Sequence, residues 1–401
     1  MKEEFPRVPY GSTVHGEEEI EAVVKVLRSS TQMGPNVSKF EERISSLFEK
    51  SNGVMTNSGS SALYLAIEAL GIKEDSEVIT PALTFATTVA CLVKNGLRPS
   101  FVDVKRDTYC IDEEQIEKMI SSKTKAILAP DLLGNICNWK EIKSIADKYG
   151  LLVLHDSADT LGSTINDEYP GKYTDLSITS FYGSHIINGA GNGGMLCTSD
   201  EEVVRKSKLL RSWGRASSIF SDSESIEKRF NVELEGIQYD AKFVFEELGY
   251  QLEPSEISAA FGLIQLDKLQ KNLELRRKYF SLHDRFFSNY KDLFVMPNET
   301  PGAYTGWLAY PLIVKEDAPF SRRDLQVFLE ERNIQTRVIF TGNILRQPGF
   351  SQIDCVGEAD DFVNSDYVMK GGILLACHHG LTDILVAHIH ESIQLFLKDN
   401  I

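Results

Sequence analysis

Cysteine is scarce in this chain. Six occur in 401 residues, at positions 91, 110, 137, 197, 355 and 377, and no two form a Cys-X-X-Cys pair. That spacing excludes a thiolate metal site and argues against a disulfide framework, leaving buried reduced thiols as the expectation. No apolar run approaches the roughly 18 residues that span a bilayer. The opening Met1-Lys-Glu-Glu-Phe-Pro has no apolar core of signal-peptide length. A cytoplasmic protein without a membrane partner is expected. Positive charge is also short: 42 Lys and Arg stand against 58 Asp and Glu, a net charge of -16. Nucleic acid and anionic membrane faces are therefore poor partners, and an anionic substrate needs a local basic pocket. There is no internal repeat and no low-complexity tract. One absence is local: no lysine occurs between Lys172 and Lys206.

What is present is a soluble-protein composition, 42% hydrophobic and 25% charged, in a chain long enough for two domains. Ile20, Val23, Val24 and Leu27 mark an amphipathic helix over 17–28, and Phe40, Ile44, Leu47 and Phe48 mark another. Short apolar runs then alternate with helical stretches. Strands are expected at 78–80, 100–104, 125–129, 151–154, 177–180 and 195–198, with helices at 59–70, 112–121 and 139–149. Such alternation implies a parallel sheet covered on both faces, with ligands at the carboxyl ends of its strands. Residues 217–235 are rich in Ser, Asp, Glu and Lys and read as an exposed insertion. One long helical stretch, 255–291, should link to a smaller α+β domain with strands at 308–314, 335–340 and 372–376 and helices at 321–333 and 384–398. The division is thus 1–254 for the large domain and 255–401 for the linking helix and small domain.

Four segments carry chemistry. Thr56-Asn-Ser-Gly59-Ser60-Ser61 opens a helix, where free N–H groups and the dipole favour an anion; alone, such a cluster is more often a plain cap. Phe85, after the next strand, is either an aromatic that stacks on a flat ring or a core residue. Leu151-Leu-Val-Leu-His-Asp156-Ser-Ala-Asp159 ends a buried strand in a carboxylate, costly there without a partner, though a helix cap is the simple alternative. Thr179-Ser180-Phe-Tyr-Gly-Ser-His185-Ile-Ile-Asn-Gly-Ala-Gly-Asn-Gly-Gly194-Met places a hydroxyl and a histidine beside a Gly-rich turn.

In this order, followed by Leu248-Gly249-Tyr250, these segments resemble the DegT/DnrJ/EryC-type sugar aminotransferase family, which is PLP-dependent (pyridoxal 5'-phosphate) and of fold type I. The resemblance implies an aspartate aminotransferase-like large domain with a mostly parallel sheet and a smaller C-terminal α+β domain. It implies a phosphate cup from Gly59, Ser60 and Ser180, Phe85 on the ring, and Asp156 on the pyridine nitrogen. That family has its cofactor-tethering lysine where this chain has His185. The exchange resembles the His-for-Lys subgroup, the NDP-4-keto-6-deoxyhexose 3-dehydratases of the GDP-4-keto-6-deoxymannose type. Leu132-Leu-Gly134-Asn135, Thr336-Arg337-Val-Ile-Phe-Thr341-Gly342-Asn343 and Lys370-Gly-Gly-Ile-Leu-Leu-Ala-Cys-His378 are similar to stretches of that subgroup, and Asp159 is an acid where the aminotransferases carry glutamine.

The implied reaction is loss of the C3 hydroxyl from a nucleotide-linked 4-keto-6-deoxy sugar in deoxysugar biosynthesis, such as feeds lipopolysaccharide. His185 serves as acid and base, the cofactor works in its amine form (PMP), and glutamate restores that form. Arg337, Asn343 and His378 are substrate-side candidates, each with a plain structural alternative. A homodimer with shared sites is implied, with Gln251, where the family carries asparagine, reaching the neighbour's phosphate. The CDP-sugar dehydratases follow Ser-Trp-Gly-Arg with cluster cysteines. Here Ser212-Trp213-Gly214-Arg215 precedes no cysteine until Cys355, so no iron–sulfur cluster is expected. Three rivals stay open: an aminotransferase using another base, an inactive binding or regulatory homologue, and an aminotransferase in which the lysine was replaced by design.

Overall fold

The computed structural model describes residues 5–220 and 224–400. Two amphipathic helices, α1 (Glu17–Leu27) and α2 (Pro35–Ser46), lead into strand β1 (Asn52–Thr56). Alternation follows: α3 (Gly59–Leu70), β2 (Glu77–Pro81), α4 (Ala86–Lys94), β3 (Arg98–Val102), α5 (Glu113–Met119), β4 (Thr124–Pro130), α6 (Trp139–Tyr149) and β5 (Leu152–Asp156). A two-residue strand β6 (Thr164–Ile165) precedes β7 (Leu176–Ser180), β8 (Gly194–Thr198) and α7 (Glu201–Arg211).

Seven of these strands form one sheet in the order β1-β8-β7-β5-β4-β2-β3. Only β8 runs against the others, antiparallel to both β1 and β7. The side chains explain why both faces are covered. Along β4, Ala126 and Leu128 pack with Val54, Leu65 and Leu154 on one face, while Ile127 and Ala129 pack with Trp139, Ile142 and Val153 on the other. A period of two with apolar residues at every position has no face to give to water. The crossover helices are closed by local chemistry: the Ser58 hydroxyl caps α3 by accepting from Ser61 N, and Asn138 caps α6 by accepting from Glu141 N.

Within the 217–235 stretch, Ser217 is buried and most of 224–235 is exposed, and the stretch is not featureless. It contains a short helix α8 (Ile226–Phe230) and strand β9 (Val232–Leu234), paired antiparallel with β10 (Ile237–Tyr239) just beyond it. The expected helix over 255–291 is two helices, α9 (Glu256–Asp267) and α10 (Leu269–Phe287), which meet at Lys268. The C-terminal layer is a three-stranded sheet of β11 (Phe294–Val295), β13 (Ala309–Val314) and β14 (Gly372–Ala376). The short β12 (Ala303–Tyr304) pairs with β6 instead. Helices α11 (Arg322–Glu331), α12 (Val363–Gly371) and α13 (Asp383–Asn400) pack around that sheet. The strand expected at 335–340 does not form. Arg337 makes a single bridge to Leu374, Val338 is exposed, and Phe340 turns away at φ 42°. The six cysteines are free, five of them buried. Among the described residues, no helix is long and apolar enough to cross a membrane, and no group of three or more metal-binding side chains gathers.

Candidate active site

The carboxyl ends of β1, β4, β5 and β7 converge on one cavity of about 600 Å³. Gly59, Ser60, Phe85, Asp156, Asp159, Ser180 and His185 all line it. Seven residues spread over more than a hundred positions meet because parallel strands deliver their following loops to the same edge.

One end of the cavity is built for an anion. The first N–H groups of α3, those of Gly59 and Ser60, have no partner within the helix and lie at its positive end. Ser180 closes on them from β7. A Cβ on Gly59 would stand 2.6 Å from Ser180 Cβ, so only glycine permits this approach. The Ser60 hydroxyl lies 3.1 Å from Thr87 Oγ1, which orients it along the rim.

The floor is Asp156, 5% exposed. Its partners are the Thr88 hydroxyl at 2.8 Å and Ala158 N–H at 3.2 Å, neither of them a cation. Burial raises its pKa, and the two donors hold it back. Beneath lies a closed polar network. Asp131 accepts from Trp139 Nε1 and contacts His155 Nε2, while its own N–H donates to the Asp156 carbonyl. Phe85 stands over the cavity, 52% exposed and edge-on to Phe340 at 5.7 Å. An aromatic left so open on a cavity wall is suited to a flat ring.

His185 sits in a loop pinned by three backbone bonds: Phe181 N to Gly193 O, Gly183 N to Gly191 O, and Gly189 N to Phe181 O. Gly191, at φ 105°, makes the reversal that a side chain would strain. His185 Nδ1 lies 3.2 Å from the Ser180 carbonyl. A carbonyl can only accept, so Nδ1 carries the hydrogen and Nε2 is left with a lone pair. Nε2 lies 3.7 Å from Asp159 Oδ1. Burial lowers the His185 pKa to about 4, and burial together with the Asp156 charge raises that of Asp159 to about 7. Near neutrality the pair is a neutral imidazole beside a carboxyl poised to hold or release a proton. The other Asp159 oxygen accepts from Leu133 N–H at 3.0 Å. Leu133 is bent to φ 60° within the Leu-Leu-Gly-Asn turn.

Four sequence candidates lie outside the cavity lining. Asn343 is fully buried and spent on structure: it caps Leu345 N and donates to the Ala359 carbonyl and Asp366. His378 donates from Nε2 to the Pro9 carbonyl and accepts Gly380 N–H at Nδ1, so both nitrogens are engaged by backbone. Their polar atoms hold loops. Arg337 is exposed, with its guanidinium 5.4 Å from the centre of the Tyr10 ring. Gln251 is exposed and pairs its backbone with Ser212. Three participants had escaped the sequence reading. Tyr10 lines the cavity from the N-terminal segment, with no periodicity to flag it. Leu133 contributes only a backbone N–H. Thr88 sits one turn after Phe85 and was legible as part of Phe85-Ala-Thr-Thr88.

Comparison with known proteins agrees with this geometry. Residues 13–394 match the model of the DegT/DnrJ/EryC1/StrS aminotransferase family. The chain is 34% identical to the lipopolysaccharide biosynthesis protein RfbH of Salmonella typhimurium, over 96% of this chain and 91% of that protein. It is 33% identical to dTDP-4-dehydro-2,6-dideoxy-D-glucose 3-dehydratase of Saccharopolyspora spinosa, over 98% and 87% respectively. The structure of E. coli GDP-4-keto-6-deoxy-D-mannose-3-dehydratase with bound hydrated PLP superposes with a TM-score of 0.85 at 29% identity, covering 97% of this chain and 99% of that one. An anion cup, a buried carboxylate without a cation and an open aromatic wall fit a phosphorylated pyridine. The chain therefore belongs to the DegT/DnrJ/EryC1/StrS aminotransferase family, with the type-I fold and the vitamin B6 cofactor of that family.

Proposed function

We propose that this protein is a 3-dehydratase that removes the C3 hydroxyl of a nucleotide-linked 4-keto-6-deoxy sugar, with its cofactor returned to the amine form by glutamate. The observation that carries the reading is His185: a neutral imidazole whose Nε2 lone pair is free to act, in the position of the family's lysine. The 3-dehydratases among the relatives support the same reading.

In this assignment Gly59, Ser60 and Ser180 bind the cofactor phosphate, Phe85 covers one ring face and Asp156 pairs with the pyridine nitrogen. Bound there, the amine form supplies a nucleophilic amine and an electron sink that Asp156 strengthens. His185 Nε2 takes up a proton from carbon and hands one to the departing hydroxyl. That transfer balances on His185 alone, and Asp159, with a pKa of about 7, lies beside Nε2 to orient it. The buried walls of Leu132 and Leu308 exclude water from the reacting side. Amino transfer is the weaker reading, because a histidine cannot form the covalent tether that releases an amino product. We also propose a homodimer. Gln251 lies away from its own cavity among exposed apolar side chains, with Leu248 95% exposed beside it.

Incubation with PMP, glutamate and a panel of nucleotide-linked 4-keto-6-deoxy sugars, followed by mass spectrometry, tests the reading. Loss of one water from a sugar supports it. An amino sugar as the main product would sink it.

A further inference from the structure

We propose that Asn272 and Arg276 of α10 are positioning residues for His185, gripping the two peptide carbonyls that flank it; this rests on His185 being the base. Asn272 Nδ2 donates to the Ile186 carbonyl at 2.9 Å. Arg276 Nη2 donates to the Ser184 carbonyl, also at 2.9 Å. The two residues are four apart, so they share one face of the helix and meet the loop as a pair.

Both are buried, Arg276 completely. The remaining donors of Arg276 go to the Trp307 and Leu308 carbonyls at 3.1 Å each and to His379 Nδ1 at 3.3 Å. A buried guanidinium ordinarily faces a carboxylate. Here its hydrogen-bond acceptors are three carbonyls and an imidazole, so its charge stays uncancelled by direct contact. Burial lowers its pKa to about 10, still charged at neutral pH.

The clamp acts on geometry. His185 is held at its ring by the Ser180 carbonyl and at its own N–H by the Tyr182 carbonyl. The ring bond reaches the end of β7, whereas the N–H bond lies within the short loop itself and can move with it. Asn272 and Arg276 tie that loop to a different element. Tyr279 and His283, further along α10, bond the Leu381 and Ala376 carbonyls and tie the helix in turn to the C-terminal layer. The base is thereby fixed relative to the whole molecule. A shift of about 1 Å in such a group can cost about a hundredfold in rate. The field around the imidazole comes from Asp159 and Asp156 near β5, Tyr182 in its own loop, Tyr10 from the N-terminal segment and Arg276 from α10. Among these Arg276 is the one cation, and it favours the neutral ring.

The variants are Asn272→Ala and Arg276→Gln, with exposed Lys271→Ala as the control. In protein labelled at histidine, the resonances lost in His185→Asn assign His185. Wild type is expected to show the Nδ1–H form, and each variant a mixture of the two ring forms, with the His185 pKa rising toward 6.5. On cofactor-loaded protein, kcat should fall by about tenfold or more while KM and PMP affinity stay within about twofold. The acid limb of the kcat profile should move to higher pH in Arg276→Gln. Folded variants that keep the wild-type ring form and kcat overturn the clamp. So does a variant that loses thermal stability alone. If Arg276→Gln does not fold, Asn272→Ala decides. A clamp seen by resonance in a wild type that dehydrates no sugar leaves the clamp standing and removes the dehydratase reading.

Discussion

His185 donates to the Ser180 carbonyl, and so its other nitrogen faces the cavity bare. Replacement by asparagine keeps a donor for that carbonyl and removes the proposed base. Turnover is expected to fall by about two to four orders of magnitude, with PMP still bound, measured by single-turnover loss of water and by absorbance titration. Asp159 gives a signature without substrate. Its carboxyl is raised from 3.8 in the unfolded chain to about 7 in the fold. The cofactor-free native state therefore binds this proton more tightly, and the contribution of Asp159 to stability declines as pH rises from about 4 through about 7. Asp159→Asn removes that penalty: thermal melts should show a gain of about 1 to 4 kcal/mol near pH 8 and none near pH 4. The residues that announced themselves in the sequence were those whose chemical type is rare in its setting: a carboxylate ending an apolar strand, a histidine in a glycine turn. Asn343 and His378 have a structural role as well, for a physical reason. Buried polar groups must be satisfied, and a side chain that satisfies a loop reads in one dimension like one that binds a ligand. Tyr10 reaches the cavity from the far end of the chain, and no local pattern encodes that.

Helix α3 and strand β7 touch where Gly59 meets Ser180, and the proposed phosphate cup depends on that approach. Gly59→Ala inserts a methyl 2.6 Å from Ser180 Cβ, and something must shift. We expect PMP affinity to drop by about tenfold or more while the far-ultraviolet dichroism is retained, read by equilibrium dialysis. The strands of the large sheet were legible because a doubly covered strand is apolar at every position. The join of α9 and α10 was not, since Leu263, Leu266, Leu269 and Leu273 carry the apolar spacing straight across it and no glycine or proline marks the break. It is fixed from outside, by Lys268 bonded to Glu18 and Glu19 of α1. The stretch at 335–340 has strand-forming residues but pairs only at isolated points, Gln335 with Val8 and Arg337 with Leu374; strand propensity is a statement about neighbours.

At the scale of the molecule, the seven-stranded sheet gives the site its floor, and the C-terminal layer gives it a wall through Leu308 and Phe340. Ile127 is fully buried in the sheet, and Ile127→Ala should cost about 2–5 kcal/mol in denaturant unfolding without altering the ring form of His185. If two chains share their sites, sedimentation will show a dimer, and Leu248→Arg will yield monomers with impaired PMP binding; a monomeric wild type would falsify that arrangement. The want of a lysine at position 185 has a consequence for how the protein lives with its vitamin. A ligand held by contacts alone comes and goes by mass action, so the working fraction of the enzyme follows the free PMP around it. At about one hundred times its dissociation constant, PMP would add about 2.7 kcal/mol to the fold, and on dilution that increment would drain away. The melting temperature of this protein should therefore serve as a gauge of the vitamin supply.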